Sequence, residues 1–355
     1  MTLNQLQTYI VGVLQGYFPN KAVLDKLTES ADGTLLFNGQ QISGETLVTD
    51  AELQQAIEDT LAELGITDDD LEEISANVST LVALQTAIAN GANVITVTEP
   101  LTISSDVTLE SETPIKIITN DVTDVFTVDA NGTLTLGKNV KISSNDSVLY
   151  ANGGIVNIDG AEIVSASPTN ALAYVDANGA ININAGKVVG TTYNAATFSV
   201  DEGNIVVNDG YVGSEVSSVL VAKNKGVVTV NGGIVETKAK NMSAAYSKTN
   251  GTINVTGGEL INNGTAGDSY TLIAATDGIV NMSGGSVDNG VLAHESAKAK
   301  ATISGNAKVA GNVSTNHDAT LVVTGGTFET DPSEYVPDGY TVLNSNDSYS
   351  VIKNV

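Results

Sequence analysis

Between Gly132 and Phe328 the alternation of apolar and polar positions recurs nine times. The copies start at Gly132, Gly154, Gly179, Gly203, Gly226, Gly251, Gly278, Ala299 and Ala319, at intervals of 22, 25, 24, 23, 25, 27, 21 and 20 residues. Dividing the 187 residues from first start to last by eight intervals gives a period of about 23. Two residues past each start stand Leu134, Val156, Ile181, Ile205, Val228, Ile253, Val280, Ala301 and Leu321. Four past stand Leu136, Ile158, Ile183, Val207, Val230, Val255, Met282, Ile303 and Val323. All eighteen are apolar, and the position between them is mostly Asn or Thr. In-out-in alternation of this kind marks a strand with one buried face. One such strand per turn, at a fixed period, predicts a parallel β-solenoid in which each coil buries its apolar face against its neighbours.

Further signals complete the coil. A strand precedes many of the starts, at 125–128, 148–150, 172–175, 198–200, 219–222 and 272–274. Small-residue turns such as Gly232-Gly233 and Gly257-Gly258 follow the core positions, because glycine supplies the positive φ needed to swing onto another face. A third strand carries Ile163, Val188, Val212, Val235, Leu260, Val287 and Phe328. Five residues past the starts, Asp159, Asn184, Asn208, Asn231, Thr256, Ser283, Ser304 and Thr324 predict a polar ladder bonded from coil to coil. Length variation falls after the third strand, at 165–171, 190–196, 213–218, 237–244 and 262–270. Loops inserted at one point of every coil emerge on one side, the expected place for recognition. Candidate glycan contacts there are Tyr193, Asn194, Asn262, Asn263, Asp268 and Tyr270.

Before the solenoid the pattern changes. Leu3, Leu6, Ile10, Val13, Leu14 and Tyr17 share one helical face over residues 3–18. Phe18-Pro19-Asn20 stops that helix, and a short second one is expected over 21–27. Asn38-Gly39 predicts a hairpin between strands 34–37 and 40–42. Leu6, Ile10, Val13, Leu14, Tyr17, Phe18 and Phe37 are the candidate anchor or oligomer contacts. A heptad register then runs through Leu53, Thr60, Thr67, Ile74, Leu81 and Ile88, and through Ile57, Leu64, Leu71, Val78 and Gln85. It predicts a helical stalk, and its β-branched positions favour three strands over two. Gly65-Ile66-Thr67-Asp68 interrupts it, and Asp68, Asp69 and Asp70 suit the positive end of a new helix better than a metal. Residues 79–97 predict a short helix, a turn and a strand, the helix covering the open end of the solenoid. Strands 340–343 and 349–352 predict a closing hairpin. The expected domains are an anchor (1–44), an acidic stalk and cap helix (45–90), a β-helix (91–330) and the hairpin (331–355).

Charge narrows the partners. Of the 41 acids and 15 lysines, seventeen acids and no lysine fall in residues 27–115, and the chain contains no arginine. A net charge of −26 argues against nucleic-acid binding, which needs a basic surface. No apolar run is long enough to span a membrane, and the first residues lack the basic region of a signal peptide. There is no cysteine, hence no disulfide or thiolate site.

Catalytic patterns are weak. His294 and His317 lie about one coil apart, but with Asp318 they make a poor metal site. Asp201, Glu202 and Asp209 form the nearest acidic group, without a lysine or histidine close in sequence. No cofactor, metal or catalytic residue is expected.

Two resemblances follow. Residues Leu81–Thr98 and the coils after them resemble the start and body of right-handed parallel β-helices of the pectate-lyase-like superfamily, over roughly residues 80–330. The segment YFPNKAVLDKLTESADGTLLFNGQQIS (residues 17–43) resembles the N-terminal region of phage head fibre proteins. The second resemblance implies a structural virion protein on the capsid surface, a trimer held to other virion proteins by its N-terminus, with its distal part exposed to the host. The loop-bearing face is then expected to bind host-surface or mucus glycan. Two rival readings are a tail-spike depolymerase and a bacterial surface adhesin.

Overall fold

The computed structural model describes residues 27–29, 35–37, 40–41 and 74–354, apart from 168–169, 192–195, 265–269, 297 and 347. The chain divides into two compact units, Met1–Ile74 and Ser75–Val355. In the first, Leu27–Glu29, Leu35–Phe37 and Gln40–Gln41 form an antiparallel sheet. Phe37 pairs with Gln40 and Leu36 with Gln41, while Asn38-Gly39, the predicted hairpin turn, lies outside the described residues. Leu27, expected at a helix end, begins a strand and pairs with Phe37. The helix over 3–18 and the stalk through residue 73 lie outside the described residues, as do Leu6, Ile10, Val13, Leu14, Tyr17 and Phe18.

The second unit is a mainly β parallel solenoid with three strands to a coil. First-face strands such as Thr133–Leu136 and second-face strands such as Val140–Ser144 belong to one 22-stranded sheet. Third-face strands, from Leu101–Ile103 to Val313–Thr315, form a separate 10-stranded sheet. Strands Ile155–Ser165 and Gly179–Gly190 run unbroken from first to second face, which is why those faces join. The nine-fold pattern is the register itself. Leu134 pairs with Val156, Val156 with Ile181, Ile181 with Ile205, and so on to Ala301 with Leu321. All eighteen inward positions are buried, each Val, Leu or Ile contributing about 1.5–3 kcal/mol of apolar transfer. On the third face the inward stack varies in bulk, with Leu149, Ala173, Phe198 and Leu220 in successive coils. That interdigitation is what dense interiors require.

The glycines at the repeat starts have a steric reason. They turn the corner from third to first face, where the backbone of the preceding coil passes underneath. A Cβ on Gly132 would lie 2.2 Å from the Ile103 carbonyl oxygen, and one on Gly251 equally close to that of Ala222.

Both ends are closed. Helix α1 (Leu81–Ala89) is capped by Thr80, whose hydroxyl accepts from the Ala83 amide. It buries Leu84 completely and packs Leu81, Ala83, Ala87 and Ile88 on the core. Before it, Ser75–Val78 pairs in parallel with Val94–Val97. The heptad register predicted helix through Ile74 and Val78; the backbone there is a solenoid strand instead, ahead of residue 91. Val78 is buried and Ser75 and Asn77 are exposed, so alternation overrides a seven-residue coincidence. At the other end Ser348–Lys353 pairs antiparallel with both Gly326–Phe328 and Tyr340–Ser345, the closing hairpin.

Candidate functional site

The five variable loops leave their coils between second and third faces, and four of them start from a buried polar residue, as does the turn after Ser144 one coil earlier. Ser144, Ser165, Ser214, Thr237 and Asn262 end second-face strands in successive register, with Gly190 taking the place between Ser165 and Ser214. Each side-chain oxygen accepts an amide two residues on, from Asp146, Ser167, Val216, Ala239 and Gly264 respectively. These Ser/Thr/Asx turns fix where the loops depart. The row was legible as Ser, Ser, Ser, Thr and Asn two residues past the inward third-strand positions.

This geometry corrects one expected contact. Asn262 is 2% exposed, and its amide donates to the Met242 and Tyr270 carbonyls at 2.8 and 3.4 Å. It shapes the loop base and is closed to a ligand. Asn263 is exposed and donates to Glu236; Tyr270 is half-buried. Tyr193, Asn194 and Asp268 lie outside the described residues.

Immediately after the loops comes the outer surface of the third face. Its outward positions align Tyr150, Tyr174, Ser199, Val221, Tyr246, Ile273 and Leu292 in consecutive coils. Residues at outward positions of a solenoid are free of core duty, so a run of aromatic and aliphatic side chains there needs another cause. The Tyr150 and Tyr174 rings lie 5.6 Å apart, tilted by 38°. Around them sit polar groups from the following corner. Lys223 Nζ lies 2.8 Å from Asp201 Oδ1 and 5.6 Å from the Tyr174 ring centroid. Asn224 donates to Asp201 Oδ2 at 3.1 Å, and Asn152 receives the Tyr150 hydroxyl at 3.4 Å. Lys248 lies over the Tyr246 ring. Burial, then a bond to the Asp201 carboxylate, pushes the Tyr174 phenol up; burial, then Asp176, Asp124 and Asp129, does the same to Tyr150.

Asp201 and Glu202 therefore do have lysine partners, contrary to the expectation from sequence neighbours. Lys223 and Lys225 come from the next coil, 22 and 23 residues on, with Lys225 Nζ 3.6 Å from Glu202. The histidines do not stack. Ala293 pairs with Thr315, which aligns His294 with Asn316 and leaves His317 one residue out of step. His317 Nδ1 instead contacts Asn316 Oδ1 at 2.9 Å. Among the described residues no group of three His, Cys, Asp or Glu could hold a metal. No helix among them is long and apolar enough to cross a membrane.

The predicted ladder lies on the opposite corner. Asn184 donates to Asp159 at 2.7 Å, Asn208 to Asn184 at 2.8 Å, Asn231 to Asn208 at 2.9 Å and Thr256 to Asn231 at 2.7 Å. Its amides are engaged with one another, which marks it as structural rather than as a ligand row.

No protein-family model matches the chain, nor does any curated protein or solved structure.

Proposed function

We propose that the chain is a phage head fibre, fixed to the capsid through residues 1–44 as a trimer and displaying its solenoid for adhesion to host-surface glycans. Residues 17–43 carry the head-fibre resemblance, and the right-handed β-helix with a coil of about 23 residues serves as the display body. The observation that carries adhesion is the Tyr150–Tyr174 pair beside Asp201, Lys223 and Asn224. Rings present apolar faces to sugar carbons while their hydroxyls, carboxylates and amides meet sugar hydroxyls. Imaging of virions with and without the protein tests the fibre: projections should vanish with it, and unchanged particles sink the reading. Glycan binding by purified protein should be lost in Tyr150→Ala/Tyr174→Ala.

A second reading, a polysaccharide depolymerase, draws on the contact of Asp201 with an amine beneath an aromatic ring. Turnover of capsular polysaccharide that disappears in Asp201→Asn would favour it over adhesion alone.

A further inference from the structure

The third-face surface carries a charge pattern that selects among glycans, and this step rests on the adhesion reading. Carboxylates flank the row: Asp129 and Asp176 stand in register with Asn152, two residues past the outward positions of Thr127, Tyr150 and Tyr174. After burial, their charge and that of Asp124, Asp201 and Glu295 push the three phenols up. Both cations beside the rings rest on them, and Lys223 also meets a carboxylate. Lys223 is held between Asp201 and the Tyr174 ring, and the Lys248 amine lies over Tyr246. An ammonium bonded to a carboxylate and resting on a ring face is a poor anchor for a second anion. There is no arginine to supply a bidentate clamp for a sugar carboxylate or sulfate. The remaining hydrogen-bonding capacity is mostly acceptor, on the oxygens of Asp129 and Asp176, which seek hydroxyl or amine donors.

We infer that the row from Tyr150 to Tyr246 binds uncharged or amino-sugar oligosaccharides lying along the solenoid axis, and rejects uronic, sialylated or sulfated chains. Tyr150 and Tyr174 are in adjacent coils, about 4.8 Å apart along the axis. Tyr246 stands three coils beyond Tyr174, roughly 14 Å away, with the smaller Ser199 and Val221 between. The row thus offers one double platform and one single platform, a span suited to a short linear glycan.

The test uses the full-length protein with four tetrasaccharides: N-acetylglucosamine, galactose, glucosamine and galacturonic acid. The expected result is binding of the neutral and amino chains, with galacturonate at least about tenfold weaker. Raising salt should narrow that gap, because the repulsion is screened. Asp129→Asn/Asp176→Asn should narrow it too, with far-UV circular dichroism confirming the fold. Tightest binding of galacturonate would overturn the selectivity while leaving adhesion standing. Binding of none of the four would sink adhesion itself.

Discussion

The first and third faces are built from the same coils, share one core and meet at the glycine corners, yet their outer surfaces differ in kind. Outside the first face stand Asn157, Asn182, Thr229, Asn254, Asn281 and Thr302, with valine at 206 and 322, and two amide pairs bond across coils, Asn182 to Asn157 and Asn281 to Asn254. Outside the third stand tyrosines and aliphatics flanked by carboxylates. The inward requirement is identical for both: one apolar residue every second position. The contrast therefore cannot come from folding, since the first face shows that small polar residues suffice outside. Exposed apolar side chains occur on the other faces too, as at Ile155, Val164 and Ile234; what differs is that the third face aligns three tyrosines with aliphatics in one half-buried row.

The largest expected effect tests the common core beneath that contrast. Phe198→Ala, at a fully buried third-face position, should cost about 3–5 kcal/mol in denaturant unfolding. A corner substitution, Gly251→Ala, sets a methyl against the Ala222 carbonyl and should cost about 1–3 kcal/mol. Next, Tyr150→Ala/Tyr174→Ala should abolish glycan binding while moving the unfolding midpoint far less than Phe198→Ala. An unfolding midpoint that fell as far would make the row a packing device and erase the contrast. On the ladder corner, Asn208→Ala removes one donor and one acceptor, and should cost about 1 kcal/mol without touching binding.

The smallest effect is a pH dependence at the loop bases. Asp146 accepts from Thr123, the Ser147 amide, Ser167 and Asn170, tying three coils together. Burial alone would raise its pKa, but the bonds from Thr123, Ser147, Asn170 and Ser167 outweigh it, and the carboxyl lies below its ordinary 3.8. A depressed folded value means the stabilisation is present above the ordinary carboxylate range and lost as pH falls through the folded pKa. The difference in thermal midpoint between the parent and Asp146→Asn should shrink as pH drops below 3.8. A difference that stayed constant would remove the carboxylate from the account.

How far each surface could be read in advance follows from the same contrast. Inward positions were legible because burial imposes alternation that needs no knowledge of neighbours, as Leu134 and Leu136 illustrate. The ladder from Asp159 to Thr256 was legible for the same reason, being a fixed offset from those positions. Third-face strands Ala245–Ser247 and Val313–Thr315 were missed because Ser247 and Thr315 take the second inward place and break the apolar alternation; Val291–His294 was missed although Val291 and Ala293 keep it. Ser75–Val78 was hidden because Ile74 and Val78 also satisfy a helical spacing. The Asp201–Lys223 contact was missed by searching for partners nearby in sequence, when in a solenoid the nearest neighbour is one coil away. Applying the period to Tyr150 would have led straight to Tyr174. Asn262 was misjudged because a loop-base amide and a loop-tip amide look alike until burial separates them.

The closing hairpin has a consequence for size. The second face begins with Ser75–Val78 and ends with Gly326–Phe328, strands of the same polarity in the same sheet. Stacked head to tail, two copies would present matching parallel edges, a heterologous contact that never closes and grows into a filament. Ser348–Lys353 occupies that last edge in the opposite direction. The polarity reversal is a terminator: it denies a second copy the parallel edge on which the sheet would otherwise continue.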